Sequence, residues 1–429
     1  MAIVTETSTE MYSLLKELFP ICRSLTGDGV RKTLSVLQRY VPLKISEVAS
    51  GTAVFDWTVP DEWNIKDAFV RAPSGEKVID FKSNNLHILG YSEPFKGEVT
   101  LSELKQHLYT SPEKPDLIPY VTSYYKRRWG FCLKHSDFLN LKDGRYEVEI
   151  DSTLKPGSLT YADFVIPGKT KKEIIISTYV CHPSMANNEL SGPVVSAFLA
   201  KHLIEHQSSL KHSYRFIFIP ETIGSITYLS RNLEHLKQHA IGGYVVTCAG
   251  DPAPFSYMMT PSENALVDRI TRHVLKNSVE HFNLYDFSTR GSDERQYNAP
   301  GVDLNLGSLM RSKYAEYKEY HTSADDLSFV TPQALEESLN MYIKCLDVFE
   351  NNATYRCQVL CEPQLGKRGL YPTISTRESG ISSRRMTNLL AYSNGERDLL
   401  EIAEKTRVPV WEYFPIAKQL LEHDLIVEA

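Results

Sequence analysis

The sequence predicts an α/β protein built on a mostly parallel, doubly wound sheet, and three observations carry that prediction. β-Branched and aromatic runs at residues 161–167, 174–177, 214–219 and 243–247 read as buried strands. Between them, apolar residues recur at helical spacing over 194–205 and 226–238. Strands that alternate with helices need crossover connections, which cover both faces of a parallel sheet. Finally, 429 residues suffice for one large domain of this kind plus one or two smaller units.

Taken in order, Met11, Leu14, Leu15 and Leu18 define a first helix over 10–19, and Asp28 caps a second running through Val30, Leu34, Val36 and Leu37 to Tyr40. The intervening Arg23-Ser-Leu-Thr-Gly27 has the residue types of a helix–helix connection. From 41 to 149 the texture changes to short segments broken by Gly and Pro. Residues 52–57, 68–71, 77–81 and 146–150 read as strands, so 54–150 is expected to be a small β-rich insertion. Inside it, Pro119-Tyr-Val-Thr-Ser-Tyr-Tyr-Lys-Arg-Arg-Trp-Gly-Phe131 mixes aromatics with three consecutive basic residues. The simplest reading is that the aromatics pack while Lys126, Arg127 and Arg128 stay solvated; a functional role would be to line a substrate cleft.

After the main strands, 266–279 reads as a helix and 287–297 as a loop too polar for the core. A Tyr- and charge-rich loop, 310–320, leads to His321. A helix from Pro332, with Leu335, Leu339, Tyr342, Ile343 and Val348 on one face, should close the large domain. That domain is expected to span 1–53 and 151–355. Pro363, Gly366 and Gly369 mark a linker. The tail from about Ser375 shows helices at 382–390, 398–406 and 415–421 and a strand at 425–427, a run that looks like a winged-helix unit over 370–429. Its third helix carries little positive charge, so the tail is expected to pack or to form a homo-oligomer rather than to bind DNA.

Charge points the same way. With 47 Lys+Arg against 53 Asp+Glu the chain carries a net −6, which argues against nucleic acid as its main partner. There is no run of about twenty apolar residues, and the start lacks the charged-then-apolar pattern of a secretory leader, so a cytoplasmic protein without membrane contact is expected. Seven scattered cysteines without a Cys-x-x-Cys pair suggest neither disulfides nor a zinc knuckle.

The chemistry concentrates in three segments. The run Ile174-Ile-Ile-Ser-Thr-Tyr-Val-Cys-His-Pro-Ser-Met-Ala-Asn-Asn-Glu-Leu-Ser-Gly192 places His182 just beyond a strand end, where open α/β sheets bind ligands. Phe216-Ile-Phe-Ile-Pro-Glu221 brings a carboxylate to a second strand end, and Tyr320-His-Thr-Ser-Ala-Asp-Asp-Leu327 adds another imidazole. Two histidines and a carboxylate on separate loops have the composition of a metal hydrolase site.

These segments resemble the zinc aminopeptidase superfamily of co-catalytic exopeptidases. With Cys22-Arg-Ser-Leu-Thr-Gly-Asp-Gly-Val-Arg31, Glu221-Thr-Ile-Gly-Ser225 and Gly291-Ser-Asp-Glu-Arg295, nearly the whole chain is similar to aminopeptidase-like proteins with a C-terminal winged helix, often tied to polysaccharide or natural-product gene clusters. The resemblance implies metal-ligand positions at His182 and His321 and a general base at Glu221, and it raises the prospect that Arg23 or Arg31 reaches the site. It also exposes departures. Asn188 stands where the metal-bridging Asp is expected, Thr222 where the second metal's Glu is, and Thr247 near the remaining Asp. A neutral amide cancels none of a metal's charge, so at most one ion, zinc, is expected, with His182, His321 and Asn188 as ligands or Glu189 substituting after a shift in loop register. Asp293 is expected to orient a ligand histidine and Arg295 to hold a substrate carboxylate.

Three functions remain open at this stage. The first is a mononuclear zinc hydrolase that cleaves an amide or peptide bond in a small peptide-like or acylated substrate. The second is a catalytically impaired aminopeptidase-like binding or scaffold protein of a biosynthetic pathway, and the third a winged-helix regulator. Retention of His182, Glu221 and His321 favours the first.

Overall fold

The computed structural model of the chain describes residues 5–370 and 377–429. The start of the tail at Ser375, and the first four residues of the stretch read for a leader, lie outside them.

Eight strands form the main sheet: β1 (Lys44–Ala49), β2 (Ser158–Ile166), β3 (Glu173–Tyr179), β4 (Ser213–Ile219), β5 (Ala240–Val245), β6 (Phe255–Met258), β7 (Phe282–Tyr285) and β8 (Leu306–Met310). Their spatial order is β1-β2-β4-β3-β5-β8-β6-β7. The central four, β4-β3-β5-β8, pair in parallel, as the alternating pattern requires. All seven residues of β3 are buried, the mark of a strand covered on both faces. At the margins the pairing is antiparallel: β1 with β2, β2 with β4, and β6 with β8. The chain leaves the sheet after β1 for the insertion and returns in the opposite direction along β2, which the local pattern of neither strand reveals.

Helix α1 (Glu6–Leu18) buries Met11, Leu14, Leu15 and Leu18, and α2 (Asp28–Leu37) buries Val30, Leu34 and Leu37. Helix α3 (Ser191–Glu205) is buried without interruption from Ser191 to Ala200. Gly192 is essential to that packing, because a Cβ there would stand 2.3 Å from the Val246 carbonyl oxygen and 2.5 Å from Thr178 Oγ1. The residues before α3 form a π-helical turn over Ala186–Leu190, every residue of it buried. Helix α4 (Ile223–His239) follows β4.

The insertion is a four-stranded antiparallel sheet in the order Lys77–Asp80, Glu62–Arg71, Arg145–Lys155, Phe95–Thr100. Ala68, Val70, Ile79, Val148 and Ile150 fill its core. Its loop at Ile118–Tyr120 lies against the segment after β8: Tyr120 N donates to the His321 carbonyl at 2.9 Å, and Ser323 N to that of Ile118 at 2.9 Å.

A second compact unit comprises residues 268–282 and 341–429. It contains the helices Arg377–Tyr392, Leu399–Thr406 and Phe414–Glu422, and a three-stranded sheet in the order Asn394–Asp398, Thr354–Cys357, Ile426–Glu428. Two of those strands are absent from the sequence expectation, because Asn394-Gly-Glu-Arg-Asp398 has no apolar alternation to betray it. Within this unit Arg269 makes a bidentate pair with Asp398, both contacts at 2.8 Å. Among the described residues no helix is long and apolar enough to cross a membrane, and none of the seven cysteines is in a disulfide.

Candidate active site

Parallel pairing of β3 and β4 sets the site. Val180 N donates to the Ile219 carbonyl at 2.8 Å, so the chain leaves both strands at the same level. His182 and Glu221 therefore emerge side by side, with His182 Nε2 and Glu221 Oε2 3.7 Å apart, beyond hydrogen-bond distance. His321 comes from the long loop after β8, in a left-handed conformation (φ 54°), and its ring centroid lies 5.4 Å from that of His182. All three face a cavity of about 400 Å³, walled also by Tyr120, Tyr124, Trp57 and Arg295. The aromatics of the 119–131 stretch thus line a cleft. Of its basic residues, Arg127 pairs with Asp61 at 2.7 Å and Arg128 Nε bonds Ser123 Oγ at 2.8 Å.

A buried ion network orients His182. Its Nδ1 lies 3.0 Å from Glu189 Oε2, and Glu189 Oε1 lies 3.5 Å from Arg23 Nε, with both side chains fully buried. Arg23 Nε also donates to the His182 carbonyl at 2.9 Å and Nη1 to the Leu18 carbonyl at 2.8 Å. Burial would lower the His182 pKa, but the hydrogen bond and charge of Glu189, with Glu221 beyond, raise it overall. Of the two arginines offered by the resemblance, Arg23 reaches the site. Arg31 instead joins Glu62 at 2.6 Å and Glu47 at 2.9 Å, away from it.

The π-helical turn gives Glu189 this place, so the carboxylate considered as a substitute ligand is the partner of His182 Nδ1. Donor atoms of Cys181, His182 and Glu189 do lie within 4.8 Å of one another. That group is closed to a cation. Burial and the neighbouring Glu189 and Glu221 charges push the Cys181 thiol well up, its Sγ accepts the Glu221 N–H at 3.2 Å, and a guanidinium already answers Glu189.

Glu221 is held from the other side. Its Oε1 accepts from Ser292 Oγ at 2.6 Å. Burial raises its pKa, more than His182, Ser292 and Arg295 lower it. The next residue, Thr222, has φ 62° and ψ −78°, a strained conformation for a β-branched residue. Asp293 fixes that turn: its Oδ1 accepts from Thr222 N at 2.7 Å and from Ser225 Oγ at 2.8 Å. Asp293 therefore braces the Glu221–Thr222 turn, and neither of those bonds goes to a histidine, contrary to the expectation. The 287–297 segment is not wholly outside the core either, because Asp293 and Glu294 are fully buried. Glu294 Oε1 takes the N–H groups of Gly291 and Ser292 at 2.8 and 2.9 Å and the Tyr314 hydroxyl at 2.5 Å. Arg295 Nε donates to the Ser292 carbonyl at 3.0 Å and Nη2 to Thr222 Oγ1 at 2.9 Å.

Asn188 Nδ2 donates to Tyr179 Oη at 2.9 Å, whereas its Oδ1 is buried without a partner. His321 Nε2 is likewise buried and unpartnered. Burial, with the nearby His182 and Lys114 charges, lowers the His321 pKa to about 2, so its ring is neutral and keeps a free lone pair. Asp325, in the motif's last position, caps the π-helical turn through Asn187 N at 2.6 Å and Asn188 N at 3.0 Å. The hydroxyls at the remaining acidic positions are engaged by the protein, Thr222 by Arg295 and Thr247 Oγ1 by the Asn188 carbonyl at 2.9 Å. The two imidazoles and Glu221 line one cavity and have the donor types of a divalent-ion site, whereas Asn188 is not among the residues that line it.

Comparison with known proteins adds the family. A model described as a domain of unknown function, DUF4910, matches residues 12–352, and one described as a winged helix-turn-helix matches 353–428. The chain belongs to the DUF4910 family. A relative from Clostridium acetobutylicum, named provisionally as a polysaccharide biosynthesis protein with an aminopeptidase-like domain, is 50% identical over 404 residues, covering 94% of this chain and 92% of its own. A crystal structure from the same organism, titled provisionally as a peptidase, superposes with a TM-score of 0.93 at 47% identity, covering 99% of this DUF4910 chain and 97% of that one. The zinc aminopeptidase of Bacillus subtilis shares the fold at a TM-score of 0.58 and 11% identity, covering 80% of this chain and 95% of its own. The fold is thus aminopeptidase-like α/β with a C-terminal winged helix.

Proposed function

We propose that this DUF4910 protein hydrolyses an amide or peptide bond in a small substrate, with Glu221 as general base beside a single zinc ion. The observation that carries the reading is the meeting of three groups in one cavity: Glu221, His182 Nε2 at 3.7 Å from it, and a neutral His321 whose Nε2 has no protein partner. His182, His321 and the Asn188 amide oxygen would hold the ion, which supplies Lewis acidity to the scissile carbonyl and to water. Glu221 takes the proton of the attacking water and returns it to the leaving nitrogen. Ser292 fixes one oxygen of that carboxylate, and the raised pKa makes it a stronger base than an exposed glutamate. Glu189 holds the His182 ring through Nδ1, leaving Nε2 toward Glu221.

Loss of the carboxylates that would carry a second ion favours a narrow amidase over a broad aminopeptidase. The provisional link of a 50%-identical relative to polysaccharide biosynthesis supports an acylated intermediate of such a pathway as substrate. The test is a panel of dipeptides, N-acyl amino acids and N-acyl amino sugars, incubated with the native chain and with Glu221→Gln. Turnover of at least one class, falling about 10²- to 10⁴-fold in the variant, is expected. Ligand binding without turnover would replace the hydrolase by a binding or scaffold protein.

A further inference from the structure

We propose that Arg295 selects substrates bearing a carboxylate next to the scissile amide, so that the chain acts on N-acylated amino acids or related monoanionic amides. The inference rests on the amide-hydrolase reading for the reaction but not for the binding. Arg295 is half-buried and lines the same cavity as His182, Glu221 and His321. Its Nε and Nη2 donate to the Ser292 carbonyl and to Thr222 Oγ1. Those two nitrogens share one edge of the guanidinium, so the other edge, formed by Nη1 and the second N–H of Nη2, remains for a ligand. Both partners are neutral. Among the described residues no carboxylate oxygen lies within 4 Å of the Arg295 nitrogens, although Arg23, Arg31, Arg215, Arg269 and Arg311 each have one.

An arginine that is fixed along one edge, lines a cavity and has no carboxylate in direct contact is built for a planar anion that completes it bidentately. Charge narrows the anion further. The Glu221 carboxylate lies close enough for the Arg295 charge to favour its ionised form, and a dianionic phosphate or phosphonate would be repelled by it more strongly than a monoanionic carboxylate, which one guanidinium matches. Thr222 contributes a neutral hydroxyl, which does not offset the arginine's charge.

The test is calorimetric binding of N-acetylglycine, N-acetyl-L-alanine and N-acetyl-L-phenylalanine, each beside its primary amide and its phosphonate analogue. Native protein should bind at least one carboxylate about ten- to a hundredfold more tightly than the matching amide, and more tightly than the phosphonate. Arg295→Met should bring carboxylate and amide to equal affinity, and Arg295→Lys, which keeps the charge without the fork, should restore part of the difference. Glu221→Gln, expected to abolish turnover, should retain the preference, so failure of the hydrolase reading and failure of this one are separable. Equal affinity for acid and amide in the native chain, no binding of any carboxylate at millimolar concentration, tighter binding of the phosphonate, or an undiminished preference in a folded Arg295→Met would each overturn the assignment.

Discussion

The buried Arg23–Glu189–His182 network offers a prediction whose size follows from its geometry. Replacing Arg23 with Met keeps the volume but removes the donors to the His182 and Leu18 carbonyls at 2.9 and 2.8 Å. Leaving buried acceptors unsatisfied costs about 1–3 kcal/mol each, and stripping a buried carboxylate of its cation about 3–5 kcal/mol. The terms overlap, because Glu189 can share the His182 proton, so a destabilisation of about 4 kcal/mol is expected rather than the sum. Glu189→Gln should cost about 3 kcal/mol, the low end for breaking a buried pair, since Arg23 keeps both carbonyls. In the double variant neither charge is stranded, and the combined loss should fall short of additivity by about 2 kcal/mol, within the range of contacting pairs. Urea denaturation followed by tryptophan fluorescence measures this, since Trp57, Trp63 and Trp129 lie in the first compact unit. Additivity within about 0.5 kcal/mol would refute the view that Arg23 is the counter-ion of Glu189.

Other consequences follow from the same geometry. Glu221 must be ionised to accept a proton, and its raised pKa places the rising limb of kcat/KM above the ordinary carboxylate range, with activity lost as pH falls through it. Ser292→Ala removes a hydrogen bond that favours the charged form, so it should shift that limb to higher pH; an unmoved limb would remove Glu221 from the base role. Gly192→Ala should destabilise the chain by about 1–3 kcal/mol, because a Cβ at 2.3 Å from the Val246 carbonyl forces α3 off the sheet, and an unchanged denaturation midpoint would contradict that close approach. Glu189→Gln should also lower metal affinity or turnover about 10- to 100-fold through His182, measured by competition with a chelator; no change would mean that Glu189 only stabilises the fold.

The centre of the fold was legible because β3 and β4 are continuous apolar runs with helices between them, and that parallel pairing alone brings His182 and Glu221 together. What escaped the sequence has identifiable causes. The antiparallel margins depend on where the chain returns from the insertion, a property no local pattern records. Asn187, Asp293 and Glu294 stand in polar stretches, yet each is buried because backbone amides bond one of its side-chain oxygens, and Asn188 is buried with its Nδ2 on Tyr179 Oη and its Oδ1 unpartnered. The π-helical turn adds a residue to the α-helical repeat and turns Glu189 onto His182 Nδ1, which 3.6-residue periodicity cannot foresee. Tyr120 and Tyr124 carried a weak signal in the aromatic-rich 119–131 stretch, whereas nothing marked Ser292 as the partner of Glu221.

The central claim, a single-ion site built on His182 and His321, is tested most directly by the zinc content of untagged protein, measured by elemental mass spectrometry beside His182→Ala and His321→Ala. The account predicts about one zinc per chain, lost in both variants, as imidazole ligation requires. Two ions per chain, or one that survives both substitutions, would contradict it.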